Sequence, residues 1–253
     1  MHYYNEWDKD AADWLEALIA DDELPKGIVD RRSVMDVTPS DLKGFTQCHL
    51  FAGIGGWPLA LRVAGVPADT HLWTASCPCQ PFSTANTNGN KGRQDERHLL
   101  PKAADLIREC KPDIVLGEQV RAAINHGWLD ELCDLLEPEG YAVGATVLSS
   151  EATGAVHKRE RLFWGAHASS AGRQGLEHYD RLSFGPKAPF AFHRDGSVDP
   201  WGALVESVAH ILPRDALPVT VERRALKGFG NAIDPVTAAG FITAFLGAAH
   251  DYT

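Results

Sequence analysis

Cys48-His49-Leu50-Phe51-Ala52-Gly53-Ile54-Gly55-Gly56-Trp57-Pro58-Leu59-Ala60-Leu61-Arg62-Val63-Ala64-Gly65 reads as a strand, a glycine-rich turn and a helix. Glycines at 53, 55 and 56 let backbone approach a ligand at a helix N-terminus, where N–H groups point outward. A tight strand-to-helix turn with no ligand uses the same glycines. The stretch therefore speaks first for fold and only second for a site.

Downstream, His71–Ala75 is a short apolar strand that opens into Ser76-Cys77-Pro78-Cys79-Gln80-Pro81-Phe82-Ser83. A cysteine just past the C-terminal end of a parallel strand lies where α/β sheets bind ligands. Pro78 biases Cys77 to extended backbone and Pro81 stiffens the exit, so Cys79 sits on a constrained loop, as a nucleophile requires. A buried structural thiol, or a redox or zinc pair with Cys77, fits these residues equally well. No second cysteine pair and no Cys-x-x-Cys spacing accompany them, which counts against zinc.

Strand and helix patterns then alternate. Leu99–Cys110 reads as a helix, Pro112–Val120 as a strand carrying Glu118, Ala123–Leu136 as a helix and Tyr141–Leu148 as a strand. His157–Trp164 is a strand with a basic start, and Val236–Ala249 is a last apolar helix. Upstream, residues 8–20 form an amphipathic helix with acidic residues in its first turn, followed by loops around a strand near Ile28–Asp30. Such alternation specifies an α/β fold with a doubly wound, mostly parallel sheet. Residues 168–226 lack periodicity and are rich in glycine and proline. They form a small separate region, leaving 1–167 with 227–253 as the main domain.

The 253 residues are 44% hydrophobic and 23% charged, the balance of an ordinary globular protein. No apolar run is long enough to span a membrane and the start resembles no signal peptide, so a cytoplasmic protein is expected, and a monomer is the working expectation. Five cysteines fit free thiols in a reducing compartment. The net charge of −10 argues against nonspecific polyanion binding by the whole surface. The charge is uneven, net −6 over residues 1–47 but +2 over 151–230, so a polyanion-binding face belongs to the latter.

Taken together the chain resembles bacterial and phage-type DNA (cytosine-5) methyltransferases. Phe51-Ala52-Gly53-Ile54-Gly55-Gly56 resembles their S-adenosylmethionine loop, and Pro78-Cys79-Gln80 with Phe82-Ser83 their catalytic loop. Glu118-Gln119-Val120 resembles their Glu-Asn-Val motif. His157-x-Arg159-x-Arg161 resembles their Gln-x-Arg-x-Arg motif, and Gly230-Asn231-Ala232-Ile233 their late Gly-Asn motif. Gln119 and His157 depart from the usual residues but remain hydrogen-bond capable.

One departure is of spacing. Only 22 residues separate Gly56 from Cys79, where the family places two further strands and a helix. The missing segment resembles the start of this chain. Glu6 then stands for the acid that holds the cofactor ribose, Trp7 for the aromatic on the adenine, and Asp30 for the acid facing the adenine amino group. The chain would be a circular permutation, returning through residues 31–46 to the strand at Cys48. In the alternative, residues 1–30 are an unrelated extension and the cofactor pocket is crippled.

The resemblance implies methyl transfer from S-adenosylmethionine to C5 of a flipped cytosine in double-stranded DNA, without a metal. Cys79 is the nucleophile, Glu118 the acid at N3, Arg161 the contact to cytosine O2, and Arg159 its support. Pro78, Asn231 and Ala232 join the cofactor site. Gln80, Ser83, Lys91, Arg93, Arg97 and Lys158 would contact DNA, with loop 84–97 closing on the backbone and 168–226 reading a short sequence. A tRNA methyltransferase on the same scaffold and a pseudoenzyme that only binds remain open.

Overall fold

A computed structural model describes residues 1–78, 98–153, 159–168 and 232–251. Seven strands form one sheet: β1 (His2–Asn5), β2 (Gly27–Asp30), β3 (Gln47–Leu50), β4 (Leu72–Ala75), β5 (Ile114–Val120), β6 (Tyr141–Ser149) and β7 (Glu160–Ala168). Their spatial order is β2-β1-β3-β4-β5-β7-β6. All adjacent pairs from β2 to β5 are parallel, and only β7 runs against its neighbours β5 and β6. The mostly parallel α/β sheet expected from the alternation is therefore present, with one reversed strand.

The helices are α1 (Lys9–Ala20), α2 (Pro39–Leu42), α3 (Gly56–Val63), α4 (Leu100–Cys110), α5 (Trp128–Leu136) and α6 (Pro235–Asp251). Asp8 caps α1 by accepting from the N–H groups of Asp10 and Ala11. The single helix expected over Ala123–Leu136 is instead a 3₁₀ segment, Arg121–His126, and then α5. Gly127 divides them because its φ of 69° is left-handed, which ends one helix and starts the next.

The parallel strands are buried on both faces, as their apolar runs require. Tyr3, Cys48, Leu50, Trp73 and Val115 face α4, α5 and the 31–46 link, which contributes Val34, Val37 and Leu42. On the opposite face Tyr4 packs against Leu15 of α1, while Leu72, Ile114 and Leu116 pack against α3 and α6. This assignment fixes the relative hands of the crossovers. The β1-to-β2 connection and the β3-to-β4 connection cover the same face but run in opposite directions along the sheet, so their hands are opposite. The β2-to-β3, β4-to-β5 and β5-to-β6 connections share the hand of β1-to-β2. Since about 98% of such crossovers are right-handed, the odd one, β3–α3–β4, is left-handed.

A relay of buried imidazoles ties β1 into the sheet. His2 Nε2 lies 2.9 Å from the Ala68 carbonyl, which only accepts, so that nitrogen carries the proton. His2 Nδ1 then accepts from His49 Nε2 at 3.3 Å, and His49 Nδ1 accepts from the Thr74 hydroxyl at 3.0 Å. Burial lowers the pKa of both rings, and each charge would further disfavour the other. Tyr4, stacked on His49, and the chain's amino terminus are the other titratable groups facing the pair. Groups held neutral in this way stabilise the fold fully above their unfolded pKa of about 6.5, and that stability is lost as pH falls toward the folded values. Denaturant unfolding should therefore lose about 1–3 kcal/mol between pH 7 and pH 5.5. A His49→Gln variant should show a flatter profile, and equal slopes for the two proteins would contradict the relay.

Candidate active site

The C-terminal ends of β1, β3, β4 and β5 lie on one edge of the sheet, and the reversal of β7 brings its beginning to that same edge. Each expected motif with described residues reaches this edge.

The glycine turn follows β3. Phe51 takes φ 56°, unusual for a side chain of its size, and Gly53 and Gly55 take 58° and 86°. Gly55 and Gly56 are needed for packing as well. A Cβ at 55 would stand 2.4 Å from Leu24 Cδ1, and one at 56 would stand 2.7 Å from Ile233 Cγ1. At Gly53 a Cβ would meet no atom of the described residues within 4 Å, so among them this part of the turn is uncovered. Ala52 N–H donates to the Asn5 carbonyl at 2.9 Å, carrying the β1–β3 contact one step past the strands.

Glu6, just past β1, is 9% exposed. Its Oε2 accepts from Gly53 N–H and its Oε1 from Asp8 N–H, each at 2.8 Å. Burial pushes its carboxyl up, and these N–H donors partly offset that. Trp7 beside it is 75% exposed, an unusual setting for the largest apolar side chain. Glu6, Trp7 and the glycine turn are thus brought together.

Asp30 ends β2, the strand beside β1. Its carboxylate lies on the Tyr3 face, accepting from the Tyr3 hydroxyl at 2.5 Å and from Arg32 Nη2 at 2.6 Å. Arg32 donates to both oxygens, so the carboxylate is held in place at the strand end.

The ends of β4 and β5 are cross-tied. Gln119 Nε2 donates to the Cys77 carbonyl at 3.3 Å, and Gln119 Oε1 accepts from Val120 N–H at 2.9 Å. The residue in place of the family's asparagine thus holds the start of the cysteine loop. The Cys77 thiol is buried, and its pKa is pushed up to about 12 by that burial.

Glu118 is nearly enclosed, its side chain 12% exposed. Its Oε1 forms an ion pair with Arg161 Nε at 2.8 Å. Burial raises the Glu118 pKa, and the charges of Arg161 and Arg159 pull it only part of the way back. Arg161 was expected on a substrate oxygen; here it reaches Glu118 and, through Nη1, the Glu160 carbonyl. Arg159 Nη2 donates to the Ala232 carbonyl at 2.6 Å, joining the basic motif to the residues before α6. Asp234 caps α6 from the same segment.

Cys79, Gln80, Ser83, Lys91, Arg93, Arg97, Lys158 and Asn231 lie outside the described residues, as do 169–226. Sequence reasoning gave no role to Trp57 and Ser76, although both stand in its motifs. The Trp57 indole donates to Ser76 Oγ at 2.8 Å, and Glu118 N–H donates to the same oxygen at 3.0 Å. Among the described residues no cluster of three His, Cys, Asp or Glu side chains has metal-binding geometry, and no helix is long and apolar enough to cross a membrane.

Residues 66–184 match the family of C-5 cytosine-specific DNA methylases. The type II methyltransferase M.AplI of Arthrospira platensis is 36% identical over 88 residues, which cover 34% of this chain and 25% of that protein. M.HhaI of Haemophilus parahaemolyticus is 25% identical over 169 residues, covering 51% of each. Among solved structures, Dnmt2 of Spodoptera frugiperda aligns with a TM-score of 0.43 at 14% identity, over 67% of this chain and 43% of that one. Part of the chain is thus similar to DNA (cytosine-5) methyltransferases. The chain spans between a quarter and about half the length of these two curated relatives.

Proposed function

We propose that this chain transfers a methyl group from S-adenosylmethionine to C5 of cytosine in duplex DNA. The observation that carries the reading is the meeting of Glu118, Arg161 and the Ser76-Cys77-Pro78 loop start at one sheet edge, beside the glycine turn. The type II DNA methyltransferases among the relatives favour DNA over tRNA.

The residues present fit the cofactor. Glu6 offers a carboxylate for ribose hydroxyls, the exposed Trp7 ring a face for adenine, and Gly53 a part of the turn uncovered among the described residues, beside backbone N–H groups. When bound, S-adenosylmethionine supplies an electrophilic methyl group. Phe51, Ala52, Ile54, Pro78, Asn231 and Ala232 complete this proposed site.

C5 of cytosine is a weak nucleophile. Attack of the Cys79 thiolate on C6 makes the ring enamine-like, and a proton delivered to N3 by Glu118 stabilises the charge that arrives there. Burial raises the Glu118 pKa, which favours the protonated form that can give this proton. Arg161 lies beside the Glu118 carboxyl, where it holds the acid in place and can reach the base. The cytosine must leave the duplex, at a cost of a few kcal/mol. Residues 1–167 with 227–253 make the catalytic domain. Gln80, Ser83, Lys91, Arg93, Arg97 and Lys158 contact DNA, and 168–226 reads sequence.

Sequencing of 5-methylcytosine in DNA from cells expressing the chain tests this reading. Methylation in a fixed short context supports it. Label incorporated into tRNA alone would transfer the reaction to RNA, and purified chain that binds no cofactor by calorimetry would leave a binding module.

We also propose that the cofactor half is circularly permuted. If β3 is taken as the first strand, β2-β1-β3-β4-β5 becomes the doubly wound order 3-2-1-4-5. The odd hand of β3–α3–β4 supports this, since an unpermuted chain would lead from α3 into β1 on the same face with the common hand. The junction is short: the Ala68 carbonyl, just past α3, accepts from His2 on β1 and from the Thr46 hydroxyl. Glu6→Ala and Trp7→Ala should each weaken S-adenosylmethionine binding roughly tenfold or more, about 1.4 kcal/mol. DNA binding without cofactor should not change. Unaltered calorimetric affinity in both variants would remove residues 1–30 from the cofactor site.

A further inference from the structure

We propose that Ser76 is a positioning residue that locks the end of β4 between the cofactor turn and the acid-bearing strand; its catalytic consequence rests on the methyltransferase reading above. Backbone pairing of β4 with β5 ends at Thr74 opposite Leu116. Two residues on, the Glu118 N–H again points toward β4, but β4 has already turned into the cysteine loop. The Ser76 hydroxyl oxygen takes that N–H at 3.0 Å, replacing the backbone carbonyl that the ladder no longer supplies. The same oxygen accepts the indole N–H of Trp57, the second residue of α3 and the neighbour of Gly56, at 2.8 Å.

Two acceptor positions on one hydroxyl oxygen are thereby filled. Three elements meet at that atom: the helix behind the glycine turn, the lead into Cys79, and the strand end that carries Glu118. Trp57 is 3% exposed, so its N–H has no solvent alternative. The distances between methyl donor, nucleophile and acid thus depend on an atom that touches Glu118 only through its backbone N–H. A misplacement of about 1 Å in such an arrangement costs on the order of 10²-fold in rate.

Single-turnover methyl transfer at saturating cofactor and DNA, together with amide hydrogen exchange, tests the proposal in Ser76→Ala, Ser76→Thr and Trp57→Phe. Ser76→Ala should slow transfer roughly 10- to 100-fold with the DNA KM changed less than about threefold. It should also speed exchange of the Glu118 amide about tenfold while leaving the Leu116 amide unchanged. Ser76→Thr, which keeps the oxygen, should restore both readings, and Trp57→Phe should move them in the direction of Ser76→Ala. A wild-type rate in Ser76→Ala would overturn the proposal. So would faster exchange along the whole of β5, or a threonine variant as slow as the alanine one, since either marks general loosening. If the wild-type protein methylates neither DNA nor tRNA, the activity reading fails by itself, and the Glu118 exchange rate still decides whether Ser76 holds this strand end.

Discussion

Glu118→Gln is expected to lower the single-turnover rate by about 10²-fold or more, the usual loss when a positioned acid is removed. The amide keeps the shape and faces Arg161 with a carbonyl, but it has no proton to release to N3. The pH dependence makes the test sharper. Burial raises the Glu118 pKa despite two nearby guanidinium groups, so the protonated form persists above the usual carboxylate range. If the acid form acts, the rate falls as pH rises through that raised value, and this limb disappears in Glu118→Gln. A variant with unchanged rate, or one that keeps the same limb, would exclude Glu118 from the chemistry.

Cys79→Ala is expected to abolish transfer while cofactor binding survives, and Cys77→Ala to keep most of the activity. The two thiols are separated by Pro78 alone, and the structure gives a reason to distinguish them. Burial pushes the Cys77 pKa up to about 12, which disfavours the thiolate that a nucleophile needs. Its side chain is buried and acts as a small apolar group, and its backbone carbonyl accepts from Gln119. Loss of methyl transfer in Cys77→Ala with retention in Cys79→Ala would reverse the assignment.

Much of the scaffold was legible because local patterns decide it. The strand, glycine turn and helix from Gln47 to Val63 follow from an apolar run, glycines suited to positive φ, and helical spacing. The break at Gly127 was missed because an isolated glycine in a helical pattern does not announce a left-handed residue. The reversal of β7 was not legible at all: direction depends on which strand it pairs with, and nothing within Glu160–Ala168 specifies β5. Asp30 was placed at the right strand end, but its contacts with Tyr3 and Arg32 were not legible, because face is set by register. Ser76 escaped notice for a related reason. Its importance comes from where the β4–β5 ladder stops, which only the paired strands reveal.

The strand order also bears on how the protein is made. β1, α1 and β2 leave the ribosome ahead of β3, yet β1 is an interior strand that needs β3 along its second edge. Until Gln47–Leu50 arrives, that edge presents unpaired N–H and C=O groups together with His2, whose imidazole partner His49 lies on the strand still to come. At 5–20 residues per second the exposure lasts roughly 1–4 s, the time needed to add residues 31–50. Slow translation across that interval would lengthen the life of an open edge, so synonymous codon choice between Arg31 and Leu50 should affect soluble yield more than the same changes placed within α5.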